Sequence, residues 1–370
     1  MADGLDIGPA EVRDLLARGE PVFILDVRTP EEFAGWHIPG AVNVPVDVVE
    51  ADPMAVPLPA DRPVIAVCAH GNRSVRAAAA LRARGVEAWS LAGGMVGWNA
   101  VYEAVSVPVG LAEAEVIQIR RPGKGCLGYV IRVGSAAVVV CPTAHVEEFL
   151  RPVEERGARV VAVADTHLHA DHVSGARELA ARTGAVLLLS GAEPYEFDGF
   201  VPIDDGLELP LADGLSLVAL STPGHTPGSV TFRLGDAVLF TGDTLFIESI
   251  GRPDLREDAE GQARQLYRTY TQRLAGLPAE MLVLPAHFSE AVPYRWGEPI
   301  AAPLGAVREA LPLLRVPEGE FVRQVLTNLP EQPPNFRTIQ QINRRGLLPA
   351  LSELAELEAG PNRCGVRLSL

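Results

Sequence analysis

The stretch Thr166-His167-Leu168-His169-Ala170-Asp171-His172 follows directly on the apolar run Val160 to Ala164, which reads as a strand. More donors sit in the same kind of place. His225 occupies a turn-rich loop, Thr222-Pro223-Gly224-His225-Thr226-Pro227-Gly228. Asp243 follows an apolar run in Phe240-Thr241-Gly242-Asp243-Thr244, and His287 follows another in Leu284-Pro285-Ala286-His287. Donors at strand ends or in tight loops can converge at one edge of a sheet, and a metal ion requires convergent nitrogen and oxygen atoms on rigid backbone. A single histidine is more often a core or surface residue. Five of the eight histidines lie in these segments, and the expectation is a metal site.

The chain around this cluster is long enough for more than one core. Its 370 residues suggest two domains, with a third allowed. Hydrophobic residues make up 48% and charged residues 21%, which excludes disorder for most of the chain. In the first hundred residues, Pro21 to Leu25 and Val64 to Val67 read as buried strands. Arg73 to Arg84 reads as an Ala-rich helix ended by Gly85. That alternation implies an α/β domain with a mainly parallel sheet. Val101 to Leu111 shows neither period nor motif. The reading is therefore a first domain over 1–104, a linker over 105–111, and a second domain over 112–370. In the second domain, Glu115 to Ile119, Gly128 to Val133, Ala136 to Val140, Leu215 to Leu220, Ser229 to Leu234 and Ala237 to Phe240 look like strands. Asp258 to Leu274 looks helical, so this part is α/β with more antiparallel character.

The first domain carries its own chemistry. Cys68-Ala69-His70-Gly71-Asn72-Arg73-Ser74 lies between an apolar strand and a helix. Backbone N–H groups and the helix dipole favour a thiolate there, and Gly71 allows a tight cradle. The plain alternative is a buried structural cysteine. Asp26-Val27-Arg28, Glu31-Glu32-Phe33, His37-Ile38-Pro39-Gly40-Ala41 and Gly93-Gly94-Met95-Val96-Gly97-Trp98 surround it in order, and together they resemble the rhodanese family over about residues 5–104. The resemblance implies a sulfurtransferase in which Cys68 carries sulfane sulfur as a persulfide and Arg73 helps bind an anionic donor such as thiosulfate. Trp36 departs from the family pattern, which usually has a small residue before His-Ile-Pro-Gly; the expectation is an effect on surface packing.

The histidine and aspartate pattern resembles the metallo-β-lactamase superfamily over about residues 112–350, which implies an αββα sandwich with the metal at one edge. The fold hosts hydrolases, nucleases and oxidoreductases, so the reaction must come from the site. In a dinuclear zinc hydrolase, His167, His169 and His225 would hold one ion, Asp171, His172 and His287 the other, and Asp243 would bridge. In a mononuclear enzyme, His167, His225 and Asp243 would form a two-His, one-carboxylate face for one Fe(II) per chain, leaving His169, Asp171, His172 and His287 as orienting residues. Gly251-Arg252-Pro253-Asp254-Leu255 resembles a segment of persulfide dioxygenases. Asn328-Leu329-Pro330, Pro333-Pro334, Ile339 and Arg363-Cys364-Gly365 resemble their C-terminal tails. Phe288-Ser289 and Cys141-Pro142 depart from the dioxygenase pattern, and Cys141 reads as a small buried hydrophobe.

These resemblances favour a persulfide dioxygenase that converts a low-molecular-weight persulfide and O2 to sulfite and thiol, fused to a thiosulfate/thiol sulfurtransferase. The alternative is a dinuclear zinc hydroxyacylglutathione hydrolase. Arg252 is the candidate for gripping an acidic carrier such as glutathione, with an ion pair to Asp254 as the other reading. The net charge of −15 argues against a nucleic-acid partner. No apolar run reaches the ~18–20 residues of a membrane span, and four scattered cysteines point to a reducing cytoplasm. A homo-oligomer is allowed. Lys124 is the only lysine; every other basic residue is arginine.

Overall fold

The computed structural model describes residues 4–367 except 54, 55, 60, 213, 290, 333, 334 and 361, so the Pro333-Pro334 motif lies outside the described residues. The N-terminal sheet is parallel throughout, in the order Asp6–Ile7, Ala88–Leu91, Val64–Val67, Phe23–Asp26, Val42–Asn43. Val64–Val67 is central and buried at every residue, which is why it reads as an unbroken apolar run rather than an alternating one. The helix Asn72–Arg82 buries Ser74, Ala77, Ala78 and Leu81. That spacing of three and four puts one small-residue stripe against the sheet.

The remainder is an αββα sandwich. One sheet runs Val201–Ile203, Val186–Ser190, Arg159–Ala164, Ala136–Val140, Cys126–Val133, Ala114–Arg121, Glu103–Val107; the other runs Glu208–Ala212, Leu215–Ser221, Val230–Leu234, Val238–Gly242, Leu282–Pro285, Ala302–Pro303. Alternation along the strands divides the cores. Leu127, Tyr129, Ile131 and Val133 face the opposite sheet, where Leu217, Phe232, Phe240 and Leu284 meet them. Val130 points the other way, onto Phe149, Val153 and Leu179 of the outer helices. A one-residue slip would exchange those faces, so the burial pattern holds the register. Helices Ala259–Arg268 and Glu318–Thr327 cover the second sheet through Ala263, Leu266, Phe321 and Val325. Among the described residues no helix is long and apolar enough to cross a membrane.

One boundary differs from the sequence reading. The 105–111 segment is not simply a linker, because Glu103–Val107 pairs antiparallel with Ala114–Arg121 as the edge strand of the first sandwich sheet. Val105 and Val107 are buried while Ala104 and Ser106 are exposed. This two-residue period spans too few residues to stand out from the loop around it.

The two parts meet at Asn99, which is held by a buried ion pair of the second domain. Arg121 and Glu358, each with a side chain 1% exposed, pair directly. Arg121 also donates to the Asn99 carbonyl, the Asn99 amide donates to the Glu358 carbonyl at 3.2 Å, and Glu358 Oε1 accepts from the Val173 N–H at 2.6 Å. Removing one partner of a buried pair leaves the other charged and unsolvated. Glu358→Ala should therefore destabilise the protein by about 3–5 kcal/mol, read from the denaturant midpoint. A loss below about 1 kcal/mol would show that the pair contributes no more than an exposed one.

Candidate active site

In the N-terminal domain the cysteine loop is held from both sides. Cys68 Sγ accepts from the Gly71 N–H at 3.1 Å and lies 3.4 Å from the Ser74 hydroxyl. Burial pushes the thiol up, but the Ser74 hydroxyl and the N–H groups of Ser74, His70 and Gly71 outweigh it, and the net effect is a lowered pKa. The loop packs on Gly94, where a Cβ would sit 2.3 Å from the Cys68 carbonyl oxygen, so only glycine fits. Arg73 is nearby but not free. Its guanidinium is bidentate to Glu32 at 2.7 Å on both arms, which holds Glu32 down to about 2. Two of its five N–H donors are thus taken by Glu32, and the Gly71 N–H is a further donor at the sulfur itself.

The metal-type cluster lies where strands of both sheets end. His167, His169, Asp171 and His172 follow Arg159–Ala164, Asp243 follows Val238–Gly242, His287 follows Leu282–Pro285, and His225 comes from the loop before Val230–Leu234. All seven are at most 2% exposed. His167, His225 and Asp243 form one compact group of donors. His167 Nε2 and His225 Nε2 lie 3.7 Å and 3.5 Å from Asp243 Oδ2. Ligands ~2.1 Å from one ion sit roughly 3–3.5 Å apart, so this face needs little movement to close on a metal. His225 donates from Nδ1 to the Arg252 carbonyl at 2.9 Å, which aims Nε2 at the site. His225 Nε2 and Asp243 Oδ2 are buried without a hydrogen-bond partner, as expected of atoms whose partner is an ion. Burial holds both His167 and His225 below the ordinary imidazole range, so both are neutral donors. Gly251 lets the chain pass: a Cβ there would meet the Asp243 carbonyl at 1.9 Å.

The other donors are arranged differently. His287 Nδ1 is 2.6 Å from Asp243 Oδ1 and its Nε2 is 2.7 Å from Asp171 Oδ2. His172 Nδ1 lies 3.1 Å from Asp171 Oδ1. Burial opposes charge on His287 and His172, but the carboxylates outweigh it, raising His287 well above the usual range and His172 to about 9. His169 turns toward Asp165, 3.7 Å away, and neither of its ring nitrogens has a hydrogen-bond partner. The loop that carries these residues is clamped by Asn343, whose amide donates to the His169 and His172 carbonyls at 2.9 and 2.8 Å.

Several of these residues escaped the sequence reading. Asn343 lies some 170 positions from the loop it holds. The Cys126 thiol donates to Asp171 at 3.5 Å and approaches His172, and Cys364 groups with Asp243 and His287. Only Cys364 had a motif around it. Cys141 is buried, as expected, but its sulfur also meets the Thr166 hydroxyl at 3.1 Å and its φ of +50° is left-handed. Arg252 is corrected outright. It is fully buried and bidentate to Asp254 at 2.7 and 2.8 Å, and its remaining N–H groups go to the carbonyls of Pro330, Glu331 and Arg363. All five guanidinium donors are engaged, so none is left for a carrier.

The chain thus has two α/β units, one with a cradled cysteine and one with a buried His/Asp cluster, a candidate metal site, at a sandwich edge. Residues 8–101 match the rhodanese-like domain and residues 122–287 the metallo-beta-lactamase superfamily. The chain is 35% identical over 201 residues to a hydroxyacylglutathione hydrolase from Methylococcus capsulatus, spanning 54% of this chain and 76% of that protein. It is 36% identical over 140 residues to the human mitochondrial persulfide dioxygenase ETHE1, spanning 36% of this chain and about half (52%) of that one. Among solved structures it is similar to ETHE1 from Myxococcus xanthus (26% identity, TM-score 0.53, 66% of this chain and 98% of that one). It is also similar to a metallo-beta-lactamase from Staphylococcus aureus (25% identity, TM-score 0.59, 64% and 74%). The chain belongs to the metallo-β-lactamase superfamily, with a rhodanese-like domain preceding the sandwich.

Two outcomes follow for the sites. Cys68 should be alkylated with an apparent pKa below the ~8.5 of a free thiol, and Ser74→Ala should move that midpoint upward; an unchanged midpoint would remove the hydroxyl from the explanation. Chelation should lower the melting temperature and metal readdition restore it, since an ion at 100 times its Kd stabilises by about 2.7 kcal/mol. His225→Ala should abolish that response.

Proposed function

We propose that the chain is a sulfur-oxidising enzyme. The His167, His225 and Asp243 face holds one Fe(II), and the reaction converts a low-molecular-weight persulfide, O2 and water to the thiol and sulfite. The Cys68 loop moves sulfane sulfur between thiosulfate and a thiol: the Cys68 thiolate takes the outer sulfur and releases sulfite, and an incoming thiol then takes that sulfur and frees Cys68. The observation that carries this reading is the asymmetry of the cluster. On the three-donor face His225 Nε2 and Asp243 Oδ2 are free to bind an ion, whereas Asp171 is engaged by His172 and His287, and His287 by Asp171 and Asp243; of the other donors only His169 and His172 Nε2 are unpartnered. An iron ion on a two-His, one-carboxylate face supplies redox chemistry and open positions for O2 and substrate. The protein contributes the fixed Nε2 of His225, the desolvated Asp243 carboxylate, and a second domain that makes or consumes persulfides. A cytoplasmic location is part of the same proposal.

A second reading, a dinuclear zinc thioester hydrolase, is supported by the presence of all seven donors and by the similarity to the hydroxyacylglutathione hydrolase over 76% of its length. Fe(II)-reconstituted protein given glutathione persulfide should consume O2 and release sulfite. His225→Ala should lower sulfite formation by at least ~100-fold, the scale of losing one metal ligand's contribution, while sparing thiosulfate-to-thiol transfer. Cys68→Ser should do the reverse. Sulfite formation that survives His225→Ala would overturn the site assignment, and two zinc ions per chain with thioester hydrolysis would replace the dioxygenase reading by the hydrolase.

A further inference from the structure

Among the described residues the buried arginine and lysine side chains are Arg28, Arg120, Arg121, Lys124 and Arg252. Each arginine has a carboxylate partner, respectively Asp26, Glu103, Glu358 and Asp254. Lys124, the single lysine of the chain and 3% exposed, has none among the described residues; its ammonium donates only to the Gly360 carbonyl, at 3.3 Å. A buried ammonium has three donors and is retained where an anion completes them.

The surroundings say where that anion would come from. Lys124 lines a cavity of about 730 Å³ that lies between the two domains and reaches His287 and Phe246. His287 is hydrogen-bonded to Asp243 of the metal-binding face. Trp36 and His37 of the N-terminal domain also line it. The tryptophan that departs from the rhodanese pattern is thus part of the other domain's cavity, not only surface packing. Glu248 lines the same cavity; one carboxylate oxygen accepts from the Ser289 N–H at 3.0 Å, and the other is buried without a partner. A volume of this size suits a ligand larger than a bare persulfide or thiosulfate, since pockets of roughly 300–1,000 Å³ take drug-sized molecules.

We propose that this interdomain cavity binds an anionic thiol carrier, with a carboxylate or phosphate of the carrier on Lys124 and its sulfur end toward His287, and that Trp36 of the N-terminal domain forms part of its wall. The role that the sequence suggested for Arg252 passes to Lys124. Specificity at the metal-binding face then depends on a wall supplied by the other domain, which gives the fusion a structural reason. The inference rests on the proposed function only in taking a thiol carrier as the ligand.

The test is direct binding to the full chain, without O2 or turnover. Isothermal titration would use three unreactive thioethers: S-methylglutathione, S-methyl-coenzyme A, and the uncharged S-methyl derivative of N-acetylcysteamine. At least one anionic thioether should bind, Lys124→Gln should weaken it at least about 10-fold, Lys124→Arg should retain it within a few fold, and Trp36→Ala should weaken it. Which anionic thioether binds tells a carboxylate carrier from a phosphate carrier. Circular dichroism and melting temperature check that each variant is folded. Equal affinity for the uncharged thioether, no binding of either anionic one, or folded Lys124→Gln binding as well as the native chain would each overturn the proposal. Failure of O2-dependent sulfite release would overturn the function but leave this binding result standing.

Discussion

The chain of hydrogen bonds from Asp171 through the His287 ring to Asp243, at 2.7 and 2.6 Å, is the interaction around which the catalytic edge is organised. Those residues come from the loop after Arg159–Ala164 and from the ends of Leu282–Pro285 and Val238–Gly242, so one imidazole links the two sheets of the sandwich. Taking two carboxylates and an imidazole out of water is unfavourable unless each is satisfied. Here they satisfy each other, while unpartnered atoms remain at His225 Nε2 and Asp243 Oδ2 of the three-donor face and on the His169 and His172 rings. The sheet register, the glycine at 251 and the Asn343 clamp all serve to keep that geometry.

The same economy of buried charge explains the arginine-rich interior. Arg121, Arg120 and Arg252 each combine a carboxylate with backbone carbonyls from distant segments. The planar five-donor guanidinium can join several chain segments at once, which a lysine cannot do as well. Arg252 ties the metal loop to the C-terminal tail at Pro330, Glu331 and Arg363. Arg121 and Glu358 tie the N-terminal domain to Val173, which directly follows His172. At the protein surface His70, in the Cys68 loop, lies 3.2 Å from Glu356 of the C-terminal helix. The two sites are therefore parts of one packed structure.

Much of this was legible locally. The parallel N-terminal sheet followed from strands alternating with helices, the sandwich strands from successive β-like runs, and the helix after Cys68 from its Ala-rich sequence and closing glycine. The fold brings the seven expected donors to one sandwich edge in separate groups, because a strand's hydrogen-bond ladder dictates where its end falls and hence where the next side chain is presented. Legibility failed where contacts span long sequence separations. Glu103–Val107 shows only a short alternation, and its strand character comes from its neighbour. The Cys126 thiol meets Asp171 because two distant elements fold together, not because of anything beside it in the sequence.

By itself, the sequence determined the residue types of the cluster, their places at the ends of apolar runs, and the cysteine cradle, since these depend on backbone periodicity over a few residues. Only the tertiary structure decided which charged groups remain available. Arg252, with Asp254 two residues on, and Lys124 are both candidate anion-binding cations in the sequence. The fold surrounds the first with acceptors and leaves the second lining a cavity with no ion-pair partner among the described residues. Burial and partnership are properties of packing between distant segments, and no local pattern encodes them.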